Sequence, residues 1–179
     1  MHLFYFKHNR HTGMDAIPCR KICFTELTFL LSGSLAYTVD QKSVSLKSGD
    51  VLCVREGSTR LRNRCENSDY VSFNFYKEAD DPPFALPTHI VGGVTNEIRL
   101  LLSACDEIHA QMNDDSDRLT LILQCLLKQL AVNLHTPVLS PLTLQIKNYV
   151  AAHLCDRISL ESVSKSVLFS PPYCAAVFR

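Results

Sequence analysis

ELTFLLSGSLAYTVDQKSVSLKSGDVLCV, residues 26–54, decides the fold. An apolar strand around Phe29 to Leu31 stops at Ser32-Gly33-Ser34, Tyr37 to Val39 turns through Asp40-Gln41-Lys42, and Ser48-Gly49-Asp50 precedes Val51 to Val54. Glycine and short polar residues between brief apolar runs are turn chemistry, so the stretch predicts successive hairpins. The pattern extends to DYVSFNFY, residues 69–76, where Val71, Phe73 and Phe75 share one face and Ser72, Asn74 and Tyr76 the other. Several short strands with regular turns predict a small β-barrel or sandwich.

From about Asn96 the period becomes helical. Ile98, Leu101, Leu102, Cys105, Ile108 and Met112 recur at steps of three and four. After the polar break MNDDSD, a second helix carries Leu119, Ile122, Leu123, Leu126, Leu127, Leu130 and Leu134, a stripe widened by Leu121 and Cys125. Two readings stay open. The stripe is a homodimer surface, centred on Leu119, Ile122, Leu123, Leu126 and Leu130, or it caps the barrel's own core. The segment HTPVL, residues 135–139, holds a proline that argues against one continuous helix into the last region.

That last region reads as three helices joined by tight turns. Ser140-Pro141 is an N-cap followed by proline at the first helical position, with Ile146, Tyr149, Val150 and Leu154 facing inward. Ser159 caps the next helix, where Leu160 and Val163 point inward and Ser164 allows close approach. Ser170-Pro171 starts a third helix anchored by Val177 and Phe178. Such a tri-helix predicts a helix-turn-helix and a DNA partner; the alternative is a generic helical appendage. The fold class is α+β. The predicted domains are a sensing barrel with an N-terminal arm (1–95), a helical dimerisation pair (96–135), a linker (136–141) and a partial DNA-binding domain (142–179).

Composition restricts the function. Among 179 residues, 46% are hydrophobic and 20% charged, which is globular, and 18 basic side chains balance 18 acidic ones. Contact with nucleic acid therefore rests on a local face. From residue 140 onward, Lys147, Arg157, Lys165 and Arg179 stand against Asp156 and Glu161 only. The start, MHLFYFKHNRHTG, lacks a leader pattern and no stretch reaches membrane-spanning length, so the expected location is the cytoplasm, with no membrane partner. Eight cysteines at 19, 23, 53, 65, 105, 125, 155 and 174 lie singly and read as reduced and mostly buried. His8, His11, Cys19 and Cys23 fit no familiar metal spacing, and polar arm residues and core thiols are the simpler reading.

ISLESVSKSVLFSPPYCAAVFR, residues 158–179, resembles the first helix-turn-helix of AraC/XylS-type transcriptional regulators. Their members typically carry I-S-L-x-x-[LV]-A, a turn, and S-P-S-Y-[LF]-S-R-[LF]-F-K. Ile158, Ser159, Leu160, Val163, Ser170, Pro171, Tyr173, Phe178 and Arg179 match. Glu26-Leu27, Leu31-Ser32-Gly33-Ser34 and Leu46-Lys47-Ser48-Gly49-Asp50 resemble the family's cupin-like sensing domain. The resemblance implies a ligand-sensing homodimer that binds promoter or operator DNA and meets RNA polymerase. It implies Ser170, Pro172, Tyr173, Ala175, Ala176 and Arg179 as the DNA-facing residues. Two departures weaken specific DNA binding. The sequence ends before the second helix-turn-helix usual in the family, as in a truncated regulator, and Pro172, Ala175 and Ala176 stand where polar base-reading side chains are usual. These side chains form no bidentate pair with a base, and such a pair is worth about 1–3 kcal/mol. A ligand-sensing and dimerising subunit that modulates a full-length relative without binding DNA is the alternative.

Metal cupins gather histidines inside the barrel, and residues 20–76 contain none. Arg60 and its neighbours occupy the region of one family histidine. No catalytic residue, metal site or cofactor is predicted, and the chain reads as a non-enzyme. Tyr37, Arg55, Arg60 and Arg62 are the candidate effector-binding residues, with exposed strand and loop positions as the alternative.

Overall fold

The hairpins expected in residues 26–54 form. The computed structural model describes residues 1–79, 81, 85–111, 116–135, 140–154 and 156–177, in two units, Met1–His135 and Thr136–Arg179. Among the described residues the first unit runs β1 (His2–Met14), β2 (Ile17–Lys21), β3 (Thr25–Ser32), β4 (Ser34–Val39), β5 (Lys42–Lys47), β6 (Val51–Val54), β7 (Thr59–Arg62), β8 (Cys65–Tyr76), β9 (His89–Ile90), α1 (Asn96–Ala110) and α2 (Ser116–His135). Two antiparallel sheets result, ordered β1-β8-β3-β6-β9 and β2-β7-β4-β5.

Turn chemistry fixes these hairpins. Asp40 (φ 46°) and Gln41 (φ 66°) both lie in the left-handed region, as a two-residue type I′ turn between β4 and β5 requires. At Gly33 (φ 85°) a Cβ would come within 2.9 Å of the Asn67 carbonyl oxygen, so only glycine fits. Asp50 closes the next turn by accepting from the Lys47 and Gly92 backbone N–H groups, at 3.0 Å each, with His89 Nε2 2.9 Å away.

The larger sheet is buried on both faces. Leu27, Phe29, Val51, Cys53, Val71, Phe73 and Phe75 pack with Ile98, Leu102, Cys105 and Ile108 of α1 and Leu119, Leu123, Leu126, Leu127 and Leu130 of α2. Its other face joins a second core, in which Leu30, Leu52, Val54 and Tyr70 meet Leu35, Tyr37, Val39 and Leu46 of the smaller sheet. The first unit is thus layered helix, sheet, sheet. This explains why six consecutive residues of β3 are buried, where a sheet with one wet face would alternate.

Three expectations change. The expected N-terminal arm is a strand: residues 2–14 form β1, which pairs with β8 from His2 opposite Tyr76 to Met14 opposite Cys65. Leu3 and Phe6, three apart, both reach the core because the register shifts between Leu3 and Tyr5. His8 adds a clasp: its ring nitrogens lie 2.7 Å from Asp69 of β8 and 2.7 Å from Asp106 of α1. Second, Leu119, Leu123, Leu126 and Leu130 are buried in the chain's own core and Ile122 packs against it, so these five do not form an exposed dimer face. The large apolar side chains left exposed on the two helices are Leu100, Leu121, Val132 and Leu134. Third, the cysteines divide: Cys53, Cys105 and Cys174 are buried, whereas Cys19, Cys23 and Cys125 are exposed. Met112 lies outside the described residues.

The second unit contains α3 (Pro141–Ala152), α4 (Leu160–Val167) and α5 (Pro171–Val177). Ser140 caps α3 by accepting from Thr143 N–H, and Pro141 follows it. Ser159 and Ser162 form a reciprocal capping box on α4, which ends at Leu168 in the left-handed conformation (φ 61°). Ile146, Val163, Val167 and Cys174 make the core, with Tyr149 and Val150 packed on it. Ser164 is buried, as close helix approach requires. Leu154 (73% exposed) falls beyond the end of α3, and Leu160 (42% exposed) sits in the open first turn of α4, so neither faces inward. Cys174 is an anchor that the sequence reading missed. The expected contributions of the Val177 and Phe178 side chains lie outside the described residues.

Candidate functional site

A cavity of about 220 Å³ opens in the strand region of the first unit. β3 contributes Glu26, β7 contributes Arg60 and Arg62, and β8 contributes Tyr70, Ser72 and Asn74. Tyr5 and Asn9 of β1 and Ile17 of β2 complete it. Tyr5 is 39% exposed and lies at the rim. The parity of each strand selects these groups. Tyr70, Ser72 and Asn74 alternate with the core residues Val71, Phe73 and Phe75, so β8 has one polar face toward the cavity and one apolar face toward the helices.

The charges are deeply buried. Glu26, Arg60 and Arg62 are 4%, 5% and 5% exposed. Glu26 Oε2 is in ion-pair contact with Arg60 Nε, and Glu26 Oε1 accepts from Tyr37 Oη at 3.3 Å and Thr28 Oγ1 at 3.2 Å. Thr28 Oγ1 lies 2.8 Å from Ser72 Oγ. Arg62 donates to Tyr70 Oη at 2.8 Å and to the Asp15 carbonyl at 3.2 Å. The guanidinium carbons of Arg60 and Arg62 stand 6.0 Å and 5.7 Å from the ring centres of Phe24 and Tyr70. Burial raises the Tyr37 hydroxyl well above the ordinary phenol range, and the Glu26 carboxylate adds to it while Arg62 opposes it, so Tyr37 stays a neutral donor. Arg60 NH1, a donor, and Asn74 Oδ1, an acceptor, lack a hydrogen-bond partner among the described residues.

Of the four residues singled out for an effector, Arg60 and Arg62 line the cavity, Tyr37 stands behind Glu26, and Arg55 lies apart, donating to the Leu86 carbonyl at 2.9 Å. Glu26, Tyr5, Asn9, Ser72 and Asn74 went unrecognised. Glu26 did carry a signal, being a carboxylate inside an otherwise apolar strand, where only a partnered charge is tolerated. Among the described residues, no three His, Cys, Asp or Glu side chains are grouped as a metal set. His8 is engaged by Asp69 and Asp106, while Cys19 and Cys23 are exposed and free.

In the second unit, Ser170, Pro172, Tyr173 and Ala176 are exposed and Ala175 is half-buried. Tyr173 stacks at a tilt against Phe169, with ring centres 5.4 Å apart. Lys147, Arg157 and Lys165 are exposed. Arg179 lies outside the described residues.

No protein-family model matches the chain, and no curated protein matches it in sequence. Solved structures with some likeness include a conserved protein of unknown function from Streptococcus pyogenes, at 19% identity and TM-score 0.34, over 38% of this chain and 59% of that one. A predicted oxalate decarboxylase from Thermotoga maritima aligns at 15% identity and TM-score 0.37, over 42% of this chain and 68% of that one. A cupin protein from Bacteroides fragilis aligns at 16% identity and TM-score 0.36, over 44% and 70%. The two-sheet architecture rests on this chain's own strand pairing. No helix among the described residues is long and apolar enough to cross a membrane.

Proposed function

We propose that the chain is a regulator of the AraC type, in which a cupin-like barrel senses a small molecule and a tri-helical unit contacts DNA. The observation that carries the reading is the cavity with Glu26, Arg60 and Arg62 buried in its wall. Burying such charges is costly, and a site for a polar ligand gives that cost a purpose. Receptor chemistry suits it better than catalysis, because the Glu26 carboxylate is held by Arg60, Tyr37 and Thr28 and is not poised as a base. The capped three-helix succession of the second unit supports the DNA contact. Titrating the protein into labelled double-stranded DNA over a salt series tests this. Binding that weakens as salt rises is expected, and no binding at low salt removes the DNA role.

A second reading has its own support. The exposed face of α5 presents Pro172, Tyr173 and Ala176, which is poor equipment for reading bases. A sensing subunit that pairs with a full-length relative would need no such equipment. Size measurement alone and in a mixture discriminates, since a strict monomer that never co-elutes with the relative removes this reading. Any self-association would use Leu121 and its exposed neighbours, given that the broad leucine stripe is buried.

A further inference from the structure

We propose that the cavity takes a small uncharged carboxamide, its carbonyl accepting from Arg60 NH1 and its N–H donating to Asn74 Oδ1. The inference rests on the receptor reading and names its ligand class. Arg60 and Asn74 both line the cavity, and each keeps a buried polar atom that has no partner among the described residues. Arg60 is 5% exposed and meets Glu26 through Nε, which leaves NH1 a donor without an acceptor. Asn74 lies opposite Glu26 in the β3–β8 register, so both atoms belong to one neighbourhood, and its Oδ1 is an acceptor without a donor. Leaving such groups open costs about 1–3 kcal/mol each, which a ligand offering the complement of both recovers.

Charge decides which group fits. The Arg60 guanidinium already faces the Glu26 carboxylate. A ligand carboxylate on NH1 would set a second anion beside Glu26, itself 4% exposed, and two carboxylates so placed repel with little water to screen them. It would also bring no proton for Asn74. A carbonyl oxygen accepts from a guanidinium without adding charge, and in an amide the N–H stands on the next atom of the same plane. The contact asks nothing of Arg62, which is engaged by Tyr70 Oη and the Asp15 carbonyl. A cavity of about 220 Å³, against about 30 Å³ for one water in the liquid, is too large for a single bridging water to fill and small for a drug-sized molecule. A short amide suits it.

Propanamide is the probe, followed by thermal shift and calorimetry on the full chain. Propanoate exchanges the N–H for a charge, butanone exchanges the amide nitrogen for a methyl group, and glycerol offers hydroxyls alone. The expected result is stabilisation by propanamide that none of the three matches. Asn74→Leu, which removes the acceptor, weakens propanamide by about 2- to 10-fold, the loss of one uncharged hydrogen bond, and brings it to the level of butanone. Ile17→Trp, which fills the cavity without touching either contact, weakens it independently should Asn74→Leu fail to fold. An equal or stronger effect from propanoate, butanone or glycerol, unchanged propanamide affinity in Ile17→Trp, or no response to propanamide overturns the proposal. A glycerol or propanoate response lost in Ile17→Trp, with none to propanamide, removes the amide and keeps the receptor reading. Silence of every probe removes the amide, while the receptor reading stands or falls separately, on the DNA titration.

Discussion

Replacing Leu123 by alanine asks whether the leucine stripe of α2 belongs to the fold or to an interface. Leu123 is 0% exposed within a single chain, in one cluster with Phe29 and Phe73 of the sheet and Leu102 of α1. Truncating a leucine so placed removes its transfer free energy and leaves a cavity, together about 2–5 kcal/mol. For a unit the size of Met1–His135, unfolding entropy of about 2.1 cal/mol/K per residue makes each kcal/mol about 3.5 °C, so Tm should fall by about 7–18 °C. Leu121, 62% exposed on the same helix, is the internal control: Leu121→Ala should stay within about 0.5 kcal/mol. Urea unfolding monitored by circular dichroism at two well-separated protein concentrations measures both variants. The reasoning fails if Leu123→Ala matches Leu121→Ala, or if its deficit disappears as concentration rises, because a side chain buried only between subunits would behave that way.

Thiol labelling followed by mass spectrometry should modify Cys19, Cys23 and Cys125 in the folded protein and spare Cys53, Cys105 and Cys174 until denaturant is added. Burial pushes the Cys53 thiol up to about 11 and, with Asp106 adding to it, the Cys105 thiol to about 12, so little thiolate forms even where reagent arrives; rapid native labelling of Cys105 would contradict the packing. Burial acts to raise the Asp50 carboxyl, but the hydrogen bonds from Lys47, Gly92 and His89 outweigh it and hold the carboxyl below its ordinary value of 3.8. Asp50 therefore stabilises the fold above that value and loses its contribution as pH falls through the lower folded value. Asp50→Asn should be less stable near neutral pH, with the gap to the native protein closing in acid; a gap constant across that window would refute the assignment.

The hairpins were legible because their turns depend on local chemistry. Gly33 and the Asp40-Gln41 pair occupy left-handed conformations that few sequences tolerate. The helices were legible for a similar reason, each beginning at a polar cap, as Ser140 and Ser159 do. β1 was not, since its bulge places Leu3 and Phe6 on one face at a spacing that no regular strand gives. The destination of the α2 leucines was equally hidden, because a broad apolar stripe looks the same whether its partner is a sheet of the same chain or a second copy. At the cavity, Arg60 and Arg62 stood out as charged residues in a short strand. Glu26 needed the three-dimensional layering, which buries both sides of β3 and makes any carboxylate there a partnered one.

β8 walls the cavity with Tyr70, Ser72 and Asn74 and the helix-facing core with Val71, Phe73 and Phe75. Positions of one parity answer to what enters the cavity and positions of the other to what packs beneath α1 and α2, so from Tyr70 to Phe75 the strand has no neutral side on which substitutions accumulate. Reshaping the cavity through this strand is confined to alternate residues, and a single-residue slip in register would place phenylalanines in the cavity and polar groups under the helices. Related chains whose cavities differ in shape should therefore vary at 70, 72 and 74 and hold their apolar character at 71, 73 and 75.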